Sequence, residues 1–189
     1  KNAFKAASAL QFDKEIQSES LFNYAKLSYE LKDDREAIRA LRQVPSTSSN
    51  YREAQEILSK LFLNTRNYAE ALKILEGIPN KSIELKEAYQ KVSYAKGVEL
   101  YNDGKIPDAK LLFLKSLKSP IDSKTKALCY YWLGEIDHNM KNYDGSISNY
   151  NKFLSVAKTV SSLPDESSVY TANYAQGYNY LKKQDYATA

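Results

Sequence analysis

Two side chains in this sequence are typical of nucleophilic or metal chemistry, Cys129 and His138, and each is the single residue of its type. They lie nine residues apart, which is two and a half turns of an α-helix, so on one helix they would face opposite sides and could not form a catalytic dyad. A single cysteine cannot close an internal disulfide, and this pair does not supply the ligands of a usual zinc site. We therefore expect Cys129 to be a small packed hydrophobe and His138 to be a surface residue of a groove.

Two pairs of neighbouring acids, Asp33-Asp34 and Asp165-Glu166, are the other candidates for acid–base chemistry. Both pairs fall in segments typical of turns, where acids cap helix N-termini and complement the helix dipole. The sequence contains no phosphate-binding glycine loop, no HExxH pair and no Gly-x-Ser-x-Gly elbow. The sequence therefore predicts no enzyme, no cofactor and no metal site.

Charge and hydropathy narrow the class of partner. The 189 residues include 27 Lys and Arg against 23 Asp and Glu, for a net charge of +4, with the two signs interspersed along the chain. Nucleic-acid binding requires a clustered basic stripe, so we expect no nucleic-acid partner. No apolar run approaches the ~20 residues of a membrane helix, and the first residues, Lys1 to Lys5, have no signal-peptide core. We therefore expect no direct membrane span.

The elements that would position any binding residues are indicated by an internal repeat. Five pairs of small residues are each separated by twelve positions, with an interruption rich in Asn, Asp, Gly or Lys between them. Two antiparallel helices joined by a tight turn approach most closely where both lack bulk, which explains a constant interval. The pairs are Ala25 and Ala37, Ser59 and Ala71, Gly97 and Ala109, Gly134 and Ser146, and Gly177 and Ala189.

The interruptions are typical of turns between helices. Asn and Asp in them can cap the next helix, Gly104 can end a helix in a left-handed conformation, and Pro107 falls in a first helical turn. The second small residues repeat after 34 positions between Ala37 and Ala71 and at longer intervals afterwards. We interpret the insertions at 118–123 and 160–166 as loops between repeats.

These features resemble the tetratricopeptide repeat family. Tyr130, Leu133 and Gly134 match the Trp, Leu and Gly of that family's first helix, and second-helix alanines match at four of the five small positions. Asp137 and Ser28 depart from the family's usual Tyr, and Ser146 replaces the alanine. The resemblance implies an all-α fold: a right-handed α-solenoid of antiparallel helix pairs with about four full repeats and partial repeats at both ends.

The resemblance also predicts the domain organisation. We expect one array over 1–189, with a partial repeat at 1–17, repeats at about 18–50, 51–85, 86–123 and 124–167, and a partial repeat at 168–189. Residues 1–10 are typical of a second helix, and another second helix is expected to begin near Ala189. Neither end supplies a whole polar capping helix, which predicts a segment of a longer array. The alternative is a small protein with frayed ends.

The same resemblance implies a concave groove lined by the first helices, and its positions carry over residue by residue. The alternative is that several of the tyrosines only pack against neighbouring repeats. The lysine and asparagine set of the family members that bind acidic chaperone tails is incomplete, so we do not expect that ligand. The expected groove residues are Phe22, Lys26, Tyr29, Glu56, Lys60, Lys91, Tyr94, Tyr101, Tyr131, Glu135, His138, Tyr174 and Tyr178.

A groove of tyrosines and lysines suits a peptide, so the function implied is a non-catalytic scaffold that binds a protein or peptide partner. The alternatives are a peptide-sensing regulatory module and an accessory domain of a larger enzyme or envelope assembly. Open ends of the array would allow homo-oligomers. The stretch 130–135 is similar to repeats of bacterial cell-envelope proteins, which favours a periplasmic or envelope location over a cytoplasmic one.

Overall fold

The computed structural model describes residues 1–10 and 13–189, which are all-helical and divide into two compact units, unit 1 (Lys1–Leu85) and unit 2 (Lys86–Ala189). This division coincides with one of the expected repeat boundaries. A short 3-10 helix covers Asp165–Ser167. The α-helices are α1 (Asn2–Ser8), α2 (Lys14–Glu30), α3 (Asp34–Leu41), α4 (Tyr51–Asn64), α5 (Tyr68–Gly77), α6 (Ile83–Asn102), α7 (Ile106–Ser116), α8 (Ser123–Asn139), α9 (Tyr143–Ala157) and α10 (Val169–Lys182).

Unit 1 is built from successive helices that each pack on the next, from α1 to α5. Its core is aliphatic where α2 meets α3 and α4 meets α5, with Ala25, Ala37, Leu41 and Leu75 fully buried. Ser28, at a position where the family usually has a Tyr, is buried and donates its hydroxyl to the Tyr24 carbonyl at 2.9 Å. The serine is therefore accommodated because its polar atom is satisfied within the helix.

Unit 2 repeats this pattern of neighbours from α7 to α10 but fills its core with rings. Phe113, Tyr150 and Phe153 are fully buried. Gln90 of α6 is buried too, and its side-chain carbonyl accepts the backbone N–H groups of Ile121 and Asp122 at 2.9 and 2.7 Å. This glutamine therefore links the inserted loop before α8 to α6, because it satisfies two backbone N–H groups of the loop.

The five hairpin turns share one backbone geometry. In each, the second residue after the first helix has a left-handed φ, and the following N–H bonds to the carbonyl five residues earlier, as from Asn67 to Phe62 at 2.8 Å. This is the Schellman motif, which satisfies carbonyls at a helix C-terminus. Only one of the five left-handed positions is a glycine. The positions are Lys32, Arg66, Gly104, Lys141 and Gln184, with φ between 57° and 75°.

The small residues of the first helices make room for a side chain rather than only for each other. A Cβ added to Gly97 would lie 2.7 Å from the Phe113 ring, and one added to Gly134 would lie 3.0 Å from the Tyr150 ring. Each ring stands four residues after the second small residue of its hairpin. The glycines are therefore required by close contact with a ring.

The all-α class of antiparallel helix pairs is confirmed, and the ends differ in detail from expectation. At the N-terminal end, α1 occupies part of the expected partial repeat at 1–17, of which residues 11 and 12 lie outside the described residues. At the other end, α10 stops at Lys182 and residues 183–189 contain turns. A second helix near Ala189 is thus not formed in the described chain.

A tyrosine cleft as the candidate partner-binding site

Two helix faces of unit 2 meet at a cleft. On α8, Tyr131, Glu135 and His138 follow one another at spacings of four and three residues, which places them on one side of the helix. On α10, Tyr170, Tyr174 and Tyr178 recur every fourth residue and form a second stripe. The two stripes face each other across the cleft, which has a volume of about 680 Å³.

Five of the residues that line this cleft belong to the groove expected from the sequence, and three do not. Tyr174 is 80% exposed and Tyr178 is 41% exposed, so their rings are open to a partner. Tyr131 is only 6% exposed, and its hydroxyl donates to the Glu166 carbonyl at 2.7 Å. The full lining is Tyr131, Glu135, His138, Tyr170, Thr171, Tyr174, Ala175 and Tyr178.

His138 is held by a chain of buried hydrogen bonds between the helices. Its Nδ1 lies 2.5 Å from the side-chain oxygen of Asn179, whose Nδ2 donates to the Ser146 hydroxyl at 2.8 Å. That hydroxyl donates in turn to the Gly134 carbonyl at 2.8 Å. The imidazole also packs against the Tyr178 ring, with 5.5 Å between centroids. These contacts join α8, α9 and α10 at one end of the cleft.

Glu135 is half-buried and accepts a hydrogen bond from the Tyr150 hydroxyl. Burial raises the pKa of Tyr150, and the neighbouring Glu135 charge raises it further because a phenolate there would face a carboxylate. Burial is also the first cause of the raised pKa of Tyr131 and of Tyr101, and Glu135 adds to both. The Glu135 carboxylate therefore creates a negative electrostatic potential around it, and the neighbouring tyrosines stay protonated at neutral pH.

The other expected groove residues of unit 2 make contacts outside the cleft. Tyr94 accepts the indole N–H of Trp132 at 3.4 Å, and the Tyr101 ring lies 4.8 Å from the Trp132 ring. Both tyrosines are half-buried, which matches the alternative that some tyrosines serve packing between repeats. Lys91 is ion-paired with Glu87, 2.5 Å away on the same helix. These three residues do not line the cleft.

The expected groove residues of unit 1 lie on α2 and α4. Phe22 is buried at 3% exposure beneath the Lys26 ammonium, which lies 5.9 Å from the ring centroid and pairs with Glu53 on α4 at 2.8 Å. Tyr29 is half-buried and Lys60 is exposed. Glu56 accepts from the Ser82 hydroxyl at 3.0 Å. An exposed ion pair thus links α2 to α4, and Phe22 lies buried beneath its ammonium group.

Sequence reasoning missed four residues of this region. Tyr170, Thr171 and Ala175 line the cleft, and Trp132 is the ring on which Tyr94 and Tyr101 pack. The recurrence of tyrosine at 170, 174 and 178 is a signal that could have identified the first of them. Thr171 and Ala175 carry no such signal, because their place depends on how α10 is rotated against α8.

A larger cavity of about 1250 Å³ lies in unit 1 among α1, α2, α3 and the segment that follows α3. Its wall mixes both signs of charge, including Lys5, Arg39, Glu19 and Glu36. None of the expected groove residues lines it. The cavity therefore does not bear on the groove prediction.

Asp33 caps α3 as the sequence suggests, whereas Asp165 and Glu166 lie within the 3-10 helix, which has no side-chain cap. Cys129 is fully buried, and burial raises the pKa of its thiol to about 12, so it stays protonated and acts as a small hydrophobe. Over residues 1–10 and 13–189, no three His, Cys, Asp or Glu side chains are grouped so that they could hold a metal ion. Within the same residues, no helix combines the length and apolar character needed to cross a membrane.

Comparison with known proteins is consistent with this architecture. Residues 19–50, which cover most of α2 and all of α3, match the family model described as tetratricopeptide repeat. No curated protein matches the sequence. Among solved structures, the fold is similar to that entitled crystal structure of MamA protein, with 19% identity over 88% of this chain and 82% of that chain and a TM-score of 0.53. It is also similar to residues 41 to the end of MamA from Desulfovibrio magneticus RS-1, with 16% identity over 94% and 90% of the two chains and a TM-score of 0.51.

Proposed function

We propose that this chain, a tetratricopeptide-repeat protein, is a non-catalytic scaffold whose α8–α10 cleft in unit 2 holds a segment of a partner protein. Its repeats supply the general role, because helical-hairpin repeats present extended surfaces to other proteins. The cleft supplies the specific place. Its two walls come from rigid helices, so a bound segment would meet a surface that is already formed.

The observation that carries the proposal is the exposed tyrosine stripe of α10. Tyr170 and Tyr174 are 86% and 80% exposed, and each presents a rigid apolar ring beside the polar groups of α8. Tyrosine is enriched among residues that dominate binding energy, because a large ring is buried on binding at a small cost in side-chain entropy. Exposed rings in a row therefore fit a contact surface better than a packing role.

Unit 1 offers a second, more polar surface on α2 and α4. Lys26, Tyr29 and Lys60 are at least partly exposed there, and the Lys26 side chain retains 43% of its exposure in its ion pair with Glu53. We propose these residues as a separate and weaker contact surface of unit 1. Exposed ion pairs of this kind contribute only about 0–1 kcal/mol, so a partner could displace this one at small cost.

The test captures proteins from an extract of the source organism. It compares those bound by the intact chain with those bound by a Tyr174→Ala/Tyr178→Ala variant. Removal of two exposed rings should abolish capture without unfolding the chain, because neither ring is buried. Tyr186→Ala is the matched control, since Tyr186 is 72% exposed and lies outside the cleft. Circular dichroism before capture verifies that all three proteins are folded.

A partner lost by the double variant and kept by Tyr186→Ala would support the cleft as the binding site. Equal capture by all three proteins would refute that assignment and direct attention to the α2–α4 surface. Light scattering on the same samples measures the self-association expected from open repeat ends. Loss of a homo-oligomer in the double variant would identify a second copy of this chain as the occupant.

A further inference from the structure

Two polar side chains of α8 that line the tyrosine cleft, Glu135 and His138, restrict the chemistry of a ligand. Glu135 is the only Asp, Glu, Lys or Arg side chain among the eight lining residues. It provides carboxylate oxygens, which accept hydrogen bonds and carry negative charge. The neighbouring polar side chain on the same wall is His138, and whether it donates or accepts is set by the chain of hydrogen bonds behind it.

That chain has one consistent direction. The Gly134 carbonyl can only accept, so the Ser146 hydroxyl spends its proton there and must accept from Asn179. The amide nitrogen of Asn179 therefore faces Ser146, and its oxygen faces Nδ1 of His138. Since an amide oxygen can only accept, Nδ1 carries the proton. In the neutral ring, Nε2 is then an acceptor, as the Glu135 carboxylate is.

The rings around these acceptors also favour a cation. The faces of tyrosine rings attract ammonium and guanidinium groups. At the His138 end of the cleft, the Lys182 ammonium already lies 4.9 Å from the centroid of the Tyr178 ring, against which the imidazole packs. The Glu135 end instead has a carboxylate, whose charge contributes to the raised pKa of Tyr131. A guest cation would thus be favoured at the Glu135 carboxylate and disfavoured on the face of the Tyr178 ring that Lys182 already occupies.

From this arrangement we propose that the cleft binds an arginine side chain of the partner segment, with the guanidinium at Glu135 and His138 and its plane against the tyrosine rings. This inference rests on the proposed function and names the chemistry of its ligand. Arginine fits better than lysine because its planar fork presents several donors at once and stacks on aromatic rings. The two acceptors, three residues apart on α8, would each meet a separate N–H.

The experiment titrates the ¹⁵N-labelled chain with two blocked peptides, acetyl-Gly-Gly-Arg-Gly-Gly-amide and its citrulline counterpart. Citrulline keeps the shape of arginine but is neutral. We expect the arginine peptide to shift the amide signals of Glu135, His138 and Ala175 in a saturable manner. The citrulline peptide should bind at least ~10-fold more weakly, since it lacks the charge that pairs with Glu135.

Two variants sharpen the test. Glu135→Gln keeps an acceptor for Tyr150 but removes the charge, and it should weaken binding of the arginine peptide by about 10-fold or more. Glu99→Gln is the control, because Glu99 pairs with Lys96 on α6 and does not line the cleft. It should leave the affinity unchanged. Thermal melts compare the folded state of both variants with that of the intact chain.

Equal binding of the two peptides, an unchanged affinity in Glu135→Gln, or no shifts up to about 10 mM peptide would each overturn the arginine inference. These outcomes are separable from failure of the proposed function. If the Tyr174→Ala/Tyr178→Ala variant still loses its partner, the cleft remains the binding site and only the assigned ligand chemistry is wrong. If that variant keeps its partner, the site itself is wrong.

Discussion

The hairpins of unit 1 and unit 2 use the same spacing but opposite choices of size. In unit 1 the first small residue is Ala25 or Ser59, and the residue four positions after the second small residue is a leucine, Leu41 or Leu75. In unit 2 the first small residue is a glycine and the later residue is a ring, as in Gly97 with Phe113. The volume removed from one helix is therefore restored on the other.

This difference shows that the two positions are one packing unit. The interval between them is fixed by helix geometry, whereas the division of volume is free as long as the sum fills the space. The aromatic residues of unit 2 also contact one another. The rings form a connected set, with Phe113 stacked on Trp132 at 6.4 Å and Tyr131 packed edge-on against Tyr150 at 5.7 Å. Cations lie over rings in both units, as Arg42 does over Phe62 at 5.3 Å in unit 1 and Lys182 over Tyr178 at 4.9 Å in unit 2.

Among substitutions that test the pairing of a small residue with a ring, Gly97→Ala should have the largest effect on stability. The new methyl would lie 2.7 Å from the buried Phe113 ring, so we expect a net loss of about 1–2 kcal/mol in the free energy of unfolding, even after alanine's helix-propensity gain of roughly 1 kcal/mol. Urea unfolding monitored by circular dichroism measures it. Adding Phe113→Leu should recover much of the loss, because it recreates the size choice of unit 1.

Gly177→Ala provides the matched control. A Cβ at Gly177 would meet only the Ala189 backbone at 3.7 Å, so alanine should stabilise α10 by roughly 0.5–1 kcal/mol. A loss at Gly177 equal to that at Gly97 would show that ring contact is not the reason for the glycine. A double variant no better than Gly97→Ala alone would show that the two positions do not form one packing unit.

The stability of the two units should also differ at alkaline pH, because five buried or half-buried groups with raised pKa values belong to unit 2. The pKa of the Cys129 thiol rises from 9.0 to about 12, and burial also raises those of Tyr94, Tyr101, Tyr131 and Tyr150. The folded state then holds protons that the unfolded chain releases. The stability that these protonated groups contribute is fully present below pH 9. It is lost as the pH rises through their folded-state pKa values.

For Cys129 alone, the expected loss is about 1 kcal/mol between pH 8 and pH 10. Fluorescence of the single tryptophan, Trp132, reports unfolding of unit 2 in urea at the two pH values. A Cys129→Ala variant should lose less stability between pH 8 and pH 10, because the loss assigned to the thiol is absent from it. An identical pH dependence in that variant would contradict the assignment.

The smallest effect concerns the turns, which the two units share. Arg66 of unit 1 and Lys141 of unit 2 have φ values of 57° and 61°, a region that favours glycine. Replacing either with glycine should stabilise the chain by about 0.5–1 kcal/mol, because the strain removed exceeds the added flexibility of the unfolded state. Thermal melts of both variants test this. Unequal gains would show that the units differ in their turns as well as in their helix contacts.

Much of the fold could be predicted because its determinants are local. The constant interval between small residues identified the hairpins, and Asn, Asp and Gly marked the turns. Pro107 lies in the first turn of α7, as its missing N–H requires. The candidate site was predictable only in part. Tyr174 and Tyr178 could be expected at a surface, whereas Tyr131 and Phe22 are buried because helix packing turned them inward.

The sequence by itself determined the helical hairpins, their spacing and the absence of a Cys–His dyad, because periodicity and turn chemistry act over a few residues. The tertiary structure decided which rings are exposed, that Trp132 joins Tyr94 to Tyr101, and that Asn179 holds His138. These outcomes depend on the rotation of each helix against its neighbours. That rotation is set by the fit of side chains far apart in the chain, a fit that no local pattern encodes.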